Sequence, residues 1–237
     1  MPRIRGAHAG APLRVLDANL LAPRPSERLA RVLVDARADV LVLQELSDEW
    51  LRTLDEAGAR ERYPHRIVEP HALDTDDFGI GILSARPLAA SGIDSLPGGY
   101  RVPLAWADVR VGDRTARLES VHTAPPATSA GAELWLAHAA HLAGRAERRP
   151  RDRPYVVAGD FNGSPFSFAH RRLLAAGLAE AHESVGRGLA TRWPNGVFLA
   201  PPMRLDHVYV GGASVRSVRE LASLTSDHSP LVVELAL

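Results

Sequence analysis

The sequence predicts an α+β fold in which two β-sheets pack face to face and helices cover their outer surfaces. Short apolar runs rich in β-branched residues recur along the chain, they outnumber the helical stretches, and they do not alternate strictly with helices as in a parallel α/β fold. The 237 residues, of which 46% are hydrophobic, suffice for one well-buried core. We predict a flexible segment over residues 1–12 and a single domain over residues 13–237.

Eight strands are predicted from runs of apolar residues that mostly end abruptly at a polar residue. They are Leu13–Ala18, Asp39–Gln44, Gly79–Leu83, Leu104–Val111, Thr115–His122, Tyr155–Ala158, Leu205–Val210 and Leu231–Leu235.

Four helices are predicted from capping residues and helix-forming composition. They are Ser26–Ala36, Ser47–Ala57, Ala130–Arg149 and Pro165–Ala176. A serine caps each of the first two, and the last has Ser164 as its cap, Pro165 at its first position and Gly177 as its stop. The sequence lacks the run of about 18 apolar residues that a transmembrane helix requires.

The composition excludes several catalytic chemistries. All 28 basic residues are arginine, so lysine nucleophiles and Schiff bases are excluded, and the absence of cysteine excludes thiol catalysis, disulfides and cysteine-bound metals. The 28 acidic residues balance the charge, which argues only weakly against a nucleic-acid substrate because binding depends on local patches. Because the chain has no cysteine, redox chemistry does not indicate its cellular compartment.

Polar side chains that bind metals or transfer protons follow the ends of several predicted strands. Each has an ordinary explanation when taken alone. Glu45 is then a solvent-exposed residue leading into a helix, Asp160 a turn residue, and His122 a polar residue at the end of a strand. Their joint occurrence favours one site at one edge of the sheets. The candidates are Asn19, Glu45, His122, Asp160, Asn162, Asp206, Asp227 and His228.

Seven segments carry a resemblance to a known family: VLDANL (15–20), LVLQEL (41–46), GIGILS (79–84), ESVHT (119–123), VAGDFN (157–162), RLDHVYV (204–210) and SDHSPLVVEL (226–235). In this order they resemble the endonuclease/exonuclease/phosphatase superfamily, to which deoxyribonuclease I belongs, and in particular its compact bacterial subgroup. The resemblance implies a four-layered α/β/β/α sandwich with two mainly antiparallel sheets. It also implies a metal-dependent phosphoesterase.

The chemistry of phosphate-ester cleavage accounts for these residue types. The anionic ester repels hydroxide, so the site needs a hard cation, a base that orients water, and donors for the developing charge. Oxygen ligands without cysteine fit Mg²⁺ or Mn²⁺.

The resemblance also implies a role for each residue. Glu45 is expected to be the principal metal ligand, with Asn19 and Asp227 close to the metal or its waters. Asp160 is expected to orient or deprotonate water. The remaining expectations are that Asn162 and His122 donate to phosphoryl oxygens and that His228 pairs with Asp206 or a second carboxylate. The choice between Asp160 and His228 as the base stays open.

The preferred substrate is DNA, and the alternative is a lipid-linked or small phosphate or pyrophosphate; a binding module with a decayed site is a remote third possibility. Leu21 stands where some nucleases have an additional Asp, which favours one metal over two. Substrate contacts are expected from aromatic residues in loops and from arginines, each of which has packing or solvated surface as its ordinary explanation. The candidates are Tyr100, Trp193, Phe198, Arg101, Arg187, Arg192 and Arg204.

Further expectations concern assembly and location. His138 and His141, three residues apart on a predicted helix, are interpreted as a surface pair because no carboxylate stands at metal-site spacing. We expect a monomer without a stable protein partner. Localisation stays open between the cytoplasm and an excised domain of a membrane-anchored or exported protein, so a membrane tether is expected only if the chain is truncated.

Overall fold

Twelve strands in the described residues form two mixed sheets of six strands each. The computed structural model describes residues 10–22, 24–71, 78–187, 193–194 and 203–237. Most of the predicted flexible N-terminal segment lies outside these ranges. Pro12 already belongs to the first strand.

The first sheet contains both ends of the described chain. In chain order its strands are β1 (Pro12–Asn19), β2 (Val40–Gln44), β3 (His65–Glu69), β4 (Ile80–Ser84), β11 (Ser214–Glu220) and β12 (Leu231–Ala236). Their spatial order is β11-β12-β1-β2-β4-β3, and only β1 and β2 run parallel.

The second sheet repeats this plan. Its strands are β5 (Leu88–Leu96), β6 (Val102–Val111), β7 (Arg114–His122), β8 (Tyr155–Asp160), β9 (Ala179–Glu180) and β10 (Asp206–Gly211). Their spatial order is β5-β6-β7-β8-β10-β9, and only β7 and β8 run parallel. The predicted mainly antiparallel pairing is therefore confirmed in both sheets.

Six helices are present in the described residues: α1 (Glu27–Asp35), α2 (Asp48–Glu56), α3 (Ala59–Arg62), α4 (Ser129–Arg148), α5 (Phe168–Ala175) and α6 (Ala181–Ser184). Ser26 and Ser47 cap α1 and α2 as predicted, each accepting a backbone N–H three residues on. Among the described residues, none of the helices is long and apolar enough to span a bilayer.

Three apolar clusters separate four layers and confirm the predicted sandwich. Between the sheets, the inward faces of the central strands pack together, for example Val42 against the second sheet's Ala158 and Leu118. On the outside, α1 and α2 cover the first sheet through residues such as Trp50, and α4 and α5 cover the second sheet through residues such as Leu142.

One predicted boundary is wrong, and several edge elements were not predicted. The fourth helix begins at Phe168 and not at Pro165, because Ser167, not Ser164, accepts the capping N–H of His170. Ser164 instead closes a turn, in which its carbonyl accepts the Ser167 N–H. The unpredicted strands β3, β5, β9 and β11 lie at or next to sheet edges, where partial exposure removes the continuous apolar pattern.

Candidate active site

The central strands present polar side chains on the face between the sheets, at the edge where the apolar core ends. Side chains alternate along a strand, so Leu13, Val15, Asp17 and Asn19 share one face of β1. The same alternation places His122 beyond Leu118 in β7, and Asp160 beyond Ala158 in β8. In β10, which is antiparallel to β8, Asp206 pairs with Asp160.

Asn19 joins two of the carboxylates. Its Nδ2 donates to Glu45 Oε1 at 2.9 Å and to Asp160 Oδ2 at 3.1 Å, while its Oδ1 accepts the backbone N–H of Leu21 at 3.1 Å. The second oxygen of Glu45 accepts the backbone N–H of Ala22 at 3.0 Å. Both sheets therefore contribute to one oxygen-rich group.

His228 lies between two other carboxylates. Its Nδ1 donates to Asp206 Oδ2 at 2.7 Å, and its Nε2 lies 3.7 Å from Asp160 Oδ2. Ser226 holds the segment before β12 in place, because its hydroxyl accepts the His228 N–H and donates to the carbonyl of Asn19. A loop distant in sequence is thereby attached to the end of β1.

His122 and Asn162 complete the surroundings of Asp160. His122 Nε2 lies 3.7 Å from Asp160 Oδ2, and its buried Nδ1 has no hydrogen-bond partner among the residues that the structure describes. The Asn162 N–H donates to Asp160 Oδ1 at 2.8 Å, and the Asn162 side-chain amide donates to the carbonyl of Thr123. Asn162 therefore supports the loop through its side chain in this state.

Asp227 lies at the outer edge of the group. Its Oδ2 accepts the indole N–H of Trp193 at 3.0 Å, and its Oδ1 is 3.9 Å from His228 Nε2. The structure thus brings all eight predicted site residues into one connected group. Their individual roles remain predictions.

At three positions in the site the backbone adopts conformations that residues other than glycine rarely adopt. Leu21, Glu45 and Asn162 have φ values of 57°, 52° and 45°, in the left-handed region. At Gly159 a Cβ atom would lie 1.9 Å from the carbonyl oxygen of Val121, so the closeness of β7 and β8 requires glycine before Asp160.

The charges of the group are set by burial and by mutual contact. Burial raises the pKa of Asp160, but His228 and His122 outweigh it and hold that pKa below its ordinary value. Burial lowers the pKa of His228, but Asp206 and Asp160 outweigh it and raise that pKa to about 10. Burial and nearby Asp160 raise the pKa of Asp206 despite His228. At neutral pH His228 is therefore an imidazolium between carboxylates.

Five of the site residues form the floor of a cavity of about 710 Å³, namely Glu45, His122, Asp160, Asn162 and His228. Its walls are mainly apolar, and Phe78 lies 5.1 Å from His122 and 5.8 Å from Tyr100 between ring centroids. Among the described residues, the lining consists of Glu45, Phe78, Tyr100, His122, Pro125, Pro126, Ala127, Asp160, Asn162, Trp193, Met203, Leu205 and His228. Among the residues that the structure describes, no arginine lines it.

Two groups of side chains are candidates for binding a metal. Asp160, Asp206 and His228 offer ligand atoms within 4.8 Å of one another. In that trio, however, the Nδ1 of His228 is already bonded to Asp206, and a cation would have to displace the proton on Nε2. The other group, around Glu45 and Asn19, offers hard oxygen donors and reaches the cavity through Glu45, so it fits a hard divalent cation.

The predicted arginine contacts are mostly engaged elsewhere. Arg101 forms a two-bond ion pair with Glu69, with both distances 2.6 Å, and Arg187 lies 2.9 Å from Glu220. Arg204 is buried near Glu180 and does not belong to the solvated surface. Arg192 and Phe198 lie outside the described residues.

The surface interpretation of His138 is wrong. His138 is fully buried, its Nδ1 accepts the Ala124 N–H at 3.1 Å, and its Nε2 lies 2.9 Å from the Pro97 carbonyl oxygen. It therefore joins α4 to two loops. His141 is only partly buried. The helical spacing alone did not distinguish the buried face of α4 from its exposed face, because alanine occurs on both faces.

Sequence reasoning missed a buried polar layer beneath the floor. Gln44 Nε2 donates to Asp17 Oδ1 at 3.0 Å between the sheets, and burial together with Asp206 raises the pKa of Asp17 well above its ordinary value. A polar residue at an inward position of an otherwise apolar strand was the available signal. The apolar walls, including Phe78, had no comparable signal.

The comparisons with known proteins agree with this fold. The model of the Endonuclease/Exonuclease/phosphatase family matches residues 13–228. No curated protein sequence matches the chain.

Several solved structures share the fold. A humanized D. rerio TDP2 with 14 mutations superposes with a TM-score of 0.81 at 17% identity, covering 95% of this chain and 99% of that one. An endonuclease/exonuclease/phosphatase from Beutenbergia cavernae gives 0.79 at 19% identity, covering 96% and 72%. D. rerio TDP2 complexed with single strand DNA product gives 0.76 at 15% identity, covering 95% and 99%.

The family match spans nearly the whole domain, and it includes the strands that carry the carboxylates and imidazoles of the cavity floor. The chain belongs to the endonuclease/exonuclease/phosphatase family and is a metal-dependent phosphohydrolase.

Proposed function

We propose that the chain hydrolyses phosphodiester bonds by in-line attack of a water molecule that Asp160 activates. The observation that carries this proposal is the position of Asp160, whose Oδ2 lies within 3.7 Å of both His228 and His122 and accepts from Asn19. A carboxylate with a lowered pKa is ionised at neutral pH, so Asp160 accepts a hydrogen bond from the attacking water and orients it.

His228 then acts as the donor to the phosphoryl group. Its pKa of about 10 keeps it protonated, and Asp206 fixes the ring through Nδ1 so that Nε2 faces the cavity. His122 and Asn162 are proposed as further donors to phosphoryl oxygens. We therefore propose Asp160, and not His228, as the base.

Glu45 is proposed as the principal ligand of Mg²⁺ or Mn²⁺, with Asn19 and Asp227 beside the metal or its waters. When bound, the metal supplies positive charge that stabilises the phosphoryl oxygens. The Asn19 amide and the Ala22 N–H each hold one oxygen of Glu45, which orients the carboxylate before the metal binds.

DNA is the first candidate substrate, cleaved as an endonuclease or exonuclease. It is supported by the similarity to a TDP2 structure that holds a single strand DNA product. Tyr100, Phe78 and Trp193 on the cavity walls also provide aromatic surfaces suited to stacking on bases.

A lipid-linked or small phosphate is the second candidate, and the cavity lining favours it. Eight of the thirteen lining residues named above are apolar or aromatic, and Arg101, Arg187 and Arg204 are paired with carboxylates instead of facing the cavity. The described part of the rim therefore offers little positive charge to bind a polyanion. An apolar group attached to a single phosphate would instead contact the apolar walls.

A substrate panel at fixed salt separates these candidates. It contains plasmid and single-stranded DNA, bis-p-nitrophenyl phosphate, a phosphomonoester and a polyprenyl pyrophosphate. We expect turnover to stop with EDTA and to return with Mg²⁺ or Mn²⁺; recovery with zinc alone would contradict the hard-cation argument. Plasmid nicking identifies a nuclease, and turnover of the pyrophosphate alone identifies a lipid phosphatase.

Site variants test the assignment itself. Glu45→Gln and Asp160→Asn are expected to lower kcat by at least about 10³-fold without unfolding the protein. Glu56→Gln and Asp113→Asn make the same chemical changes at exposed positions and should retain full activity. Activity near the wild-type level in either site variant would refute the roles proposed here.

An apolar-ester series tests the second candidate. Each CH₂ group that enters the walls contributes about 0.8 kcal/mol, or roughly fourfold in kcat/KM. Phe78→Ala should reduce this gain with chain length, whereas Phe168→Ala, at a 40% exposed position outside the lining, should not. If kcat/KM of the wild type does not rise with the chain length of the ester, the result would count against an apolar substrate.

A further inference from the structure

Trp193 makes a specific contact with the site in addition to forming part of its wall. Its indole N–H donates to Asp227 Oδ2 at 3.0 Å, and its ring centroid lies 6.2 Å from that of His228. The backbone of Trp193 pairs with Met203 through two hydrogen bonds of 2.8 and 2.6 Å. The backbone of Trp193 is therefore held at the cavity rim, and its indole nitrogen is bonded to a site residue.

This contact holds one oxygen of Asp227, Oδ2, on the side of Trp193. The indole N–H is a donor only, so it selects a carboxylate oxygen and orients it. With Oδ2 bonded to Trp193, Oδ1 lies on the side of His228, 3.9 Å from Nε2. The Asp227 side chain is 38% exposed, so burial alone does not hold it in this orientation.

We propose that Trp193 is a positioning residue that orients Asp227 toward the metal. This inference rests on the proposed function, in which Asp227 lies beside the metal or its waters. Trp193 acts through a hydrogen bond to a carboxylate, a contact from outside the metal's own ligands that commonly tunes metal affinity. The role is separate from any stacking of the indole on substrate.

Direct Mn²⁺ binding measures this role without turnover. Mn²⁺ is titrated into wild type, Trp193→Phe, Asp227→Ala and the double variant, and free Mn²⁺ is followed by electron paramagnetic resonance. Phe retains an aromatic wall and removes only the donor, so we expect Mn²⁺ affinity to fall on the order of tenfold. In the Asp227→Ala background the same change should have no further effect, because the acceptor is absent.

Controls separate positioning from general damage. Trp106→Phe removes an indole that stacks on Arg117 outside the cavity, and should leave Mn²⁺ affinity unchanged. At saturating Mn²⁺, the KM of Trp193→Phe for bis-p-nitrophenyl phosphate should stay within about twofold of wild type, because the wall remains. Thermal unfolding of each variant verifies that it folds.

A measurement on the unaltered protein provides a second test. Mg²⁺ titration should shift the indole N–H resonance of Trp193, which is assigned from its absence in Trp193→Phe, while that of Trp106 stays in place. An unmoved Trp193 resonance at saturating Mg²⁺ would overturn the inference.

The outcomes distinguish failure of the positioning role of Trp193 from failure of the proposed place of Asp227 at the metal. If Asp227→Ala weakens Mn²⁺ binding but Trp193→Phe does not, or if the Trp193 effect persists in the double variant, the positioning role is refuted and the proposed function stands. If Asp227→Ala binds Mn²⁺ like wild type, the proposed place of Asp227 at the metal fails, and the inference fails with it.

Discussion

The pair of Asp206 and His228 allows a quantitative prediction. In the wild type, two carboxylates raise the pKa of His228 from its ordinary 6.5 to about 10 despite burial. At 1.36 kcal/mol per pKa unit, this gap corresponds to about 5 kcal/mol in favour of the imidazolium. Asp206, whose Oδ2 lies 2.7 Å from Nδ1, is the largest source of that stabilisation.

Asp206→Asn retains the size of the side chain and removes its charge. We expect the pKa of His228 to fall toward or below 6.5, because burial then acts with less opposition. His228 would be largely neutral at pH 7.5, and turnover of bis-p-nitrophenyl phosphate should fall by about 10²- to 10⁴-fold.

The His228 pKa also enters the stability of the protein. A group whose pKa is raised by folding contributes stability that is complete below its unfolded value and is lost as pH rises through its folded value. The contribution from His228 should therefore be present below about pH 6.5 and disappear toward pH 10. In Asp206→Asn this part of the pH dependence should largely vanish.

The assay is an NMR titration of the His228 ring Cε1–H in metal-free protein, assigned from His228→Gln, together with urea unfolding at several pH values. A wild-type ring that titrates near 6.5, or an Asp206→Asn ring that still titrates near 10, would refute the electrostatic reasoning. Unchanged turnover in Asp206→Asn would refute the catalytic use of the imidazolium.

Two further predictions concern stability. Gly159→Ala places a Cβ 1.9 Å from the Val121 carbonyl oxygen and should cost about 3 kcal/mol or prevent folding, while Gly99→Ala, with open space around it, should be nearly neutral in urea unfolding. His138→Ala leaves the Ala124 N–H without its partner and should cost about 3 kcal/mol, against less than about 0.5 kcal/mol for His141→Ala; equal costs would contradict the buried role.

Much of the fold followed from local patterns. The central strands bury both faces, so their apolar runs are continuous, and Ser26 and Ser47 act within one helical turn of the residues that they cap. The edge strands were not predicted, because β5 and β11 expose much of their length and include small or charged residues. Ser164 and Ser167 offered two possible caps, and the local sequence alone did not distinguish them.

The candidate site was predicted as a set of residues with one internal contact, the pairing of His228 with Asp206 or a second carboxylate, and the structure shows His228 bonded to Asp206. Polar residues at strand ends are visible in the sequence, and the order of the segments identified the family. The pairing of Asn19 with Asp160, 141 positions apart, depends on how the two sheets face each other. The wrong interpretations of Arg204 and His138 have the same cause, since each is buried by partners distant along the chain.

The amino-acid sequence determined the layered fold class, the family and the inventory of carboxylates, amides and imidazoles, because alternation along strands and short motifs are encoded locally. Only the tertiary structure decided the charge of His228, the apolar walls of the cavity, the engagement of the arginines and the orientation of Asp227 by Trp193. These properties arise from burial and from distances of a few ångströms between distant segments, which are established only when the sheets and their loops pack together.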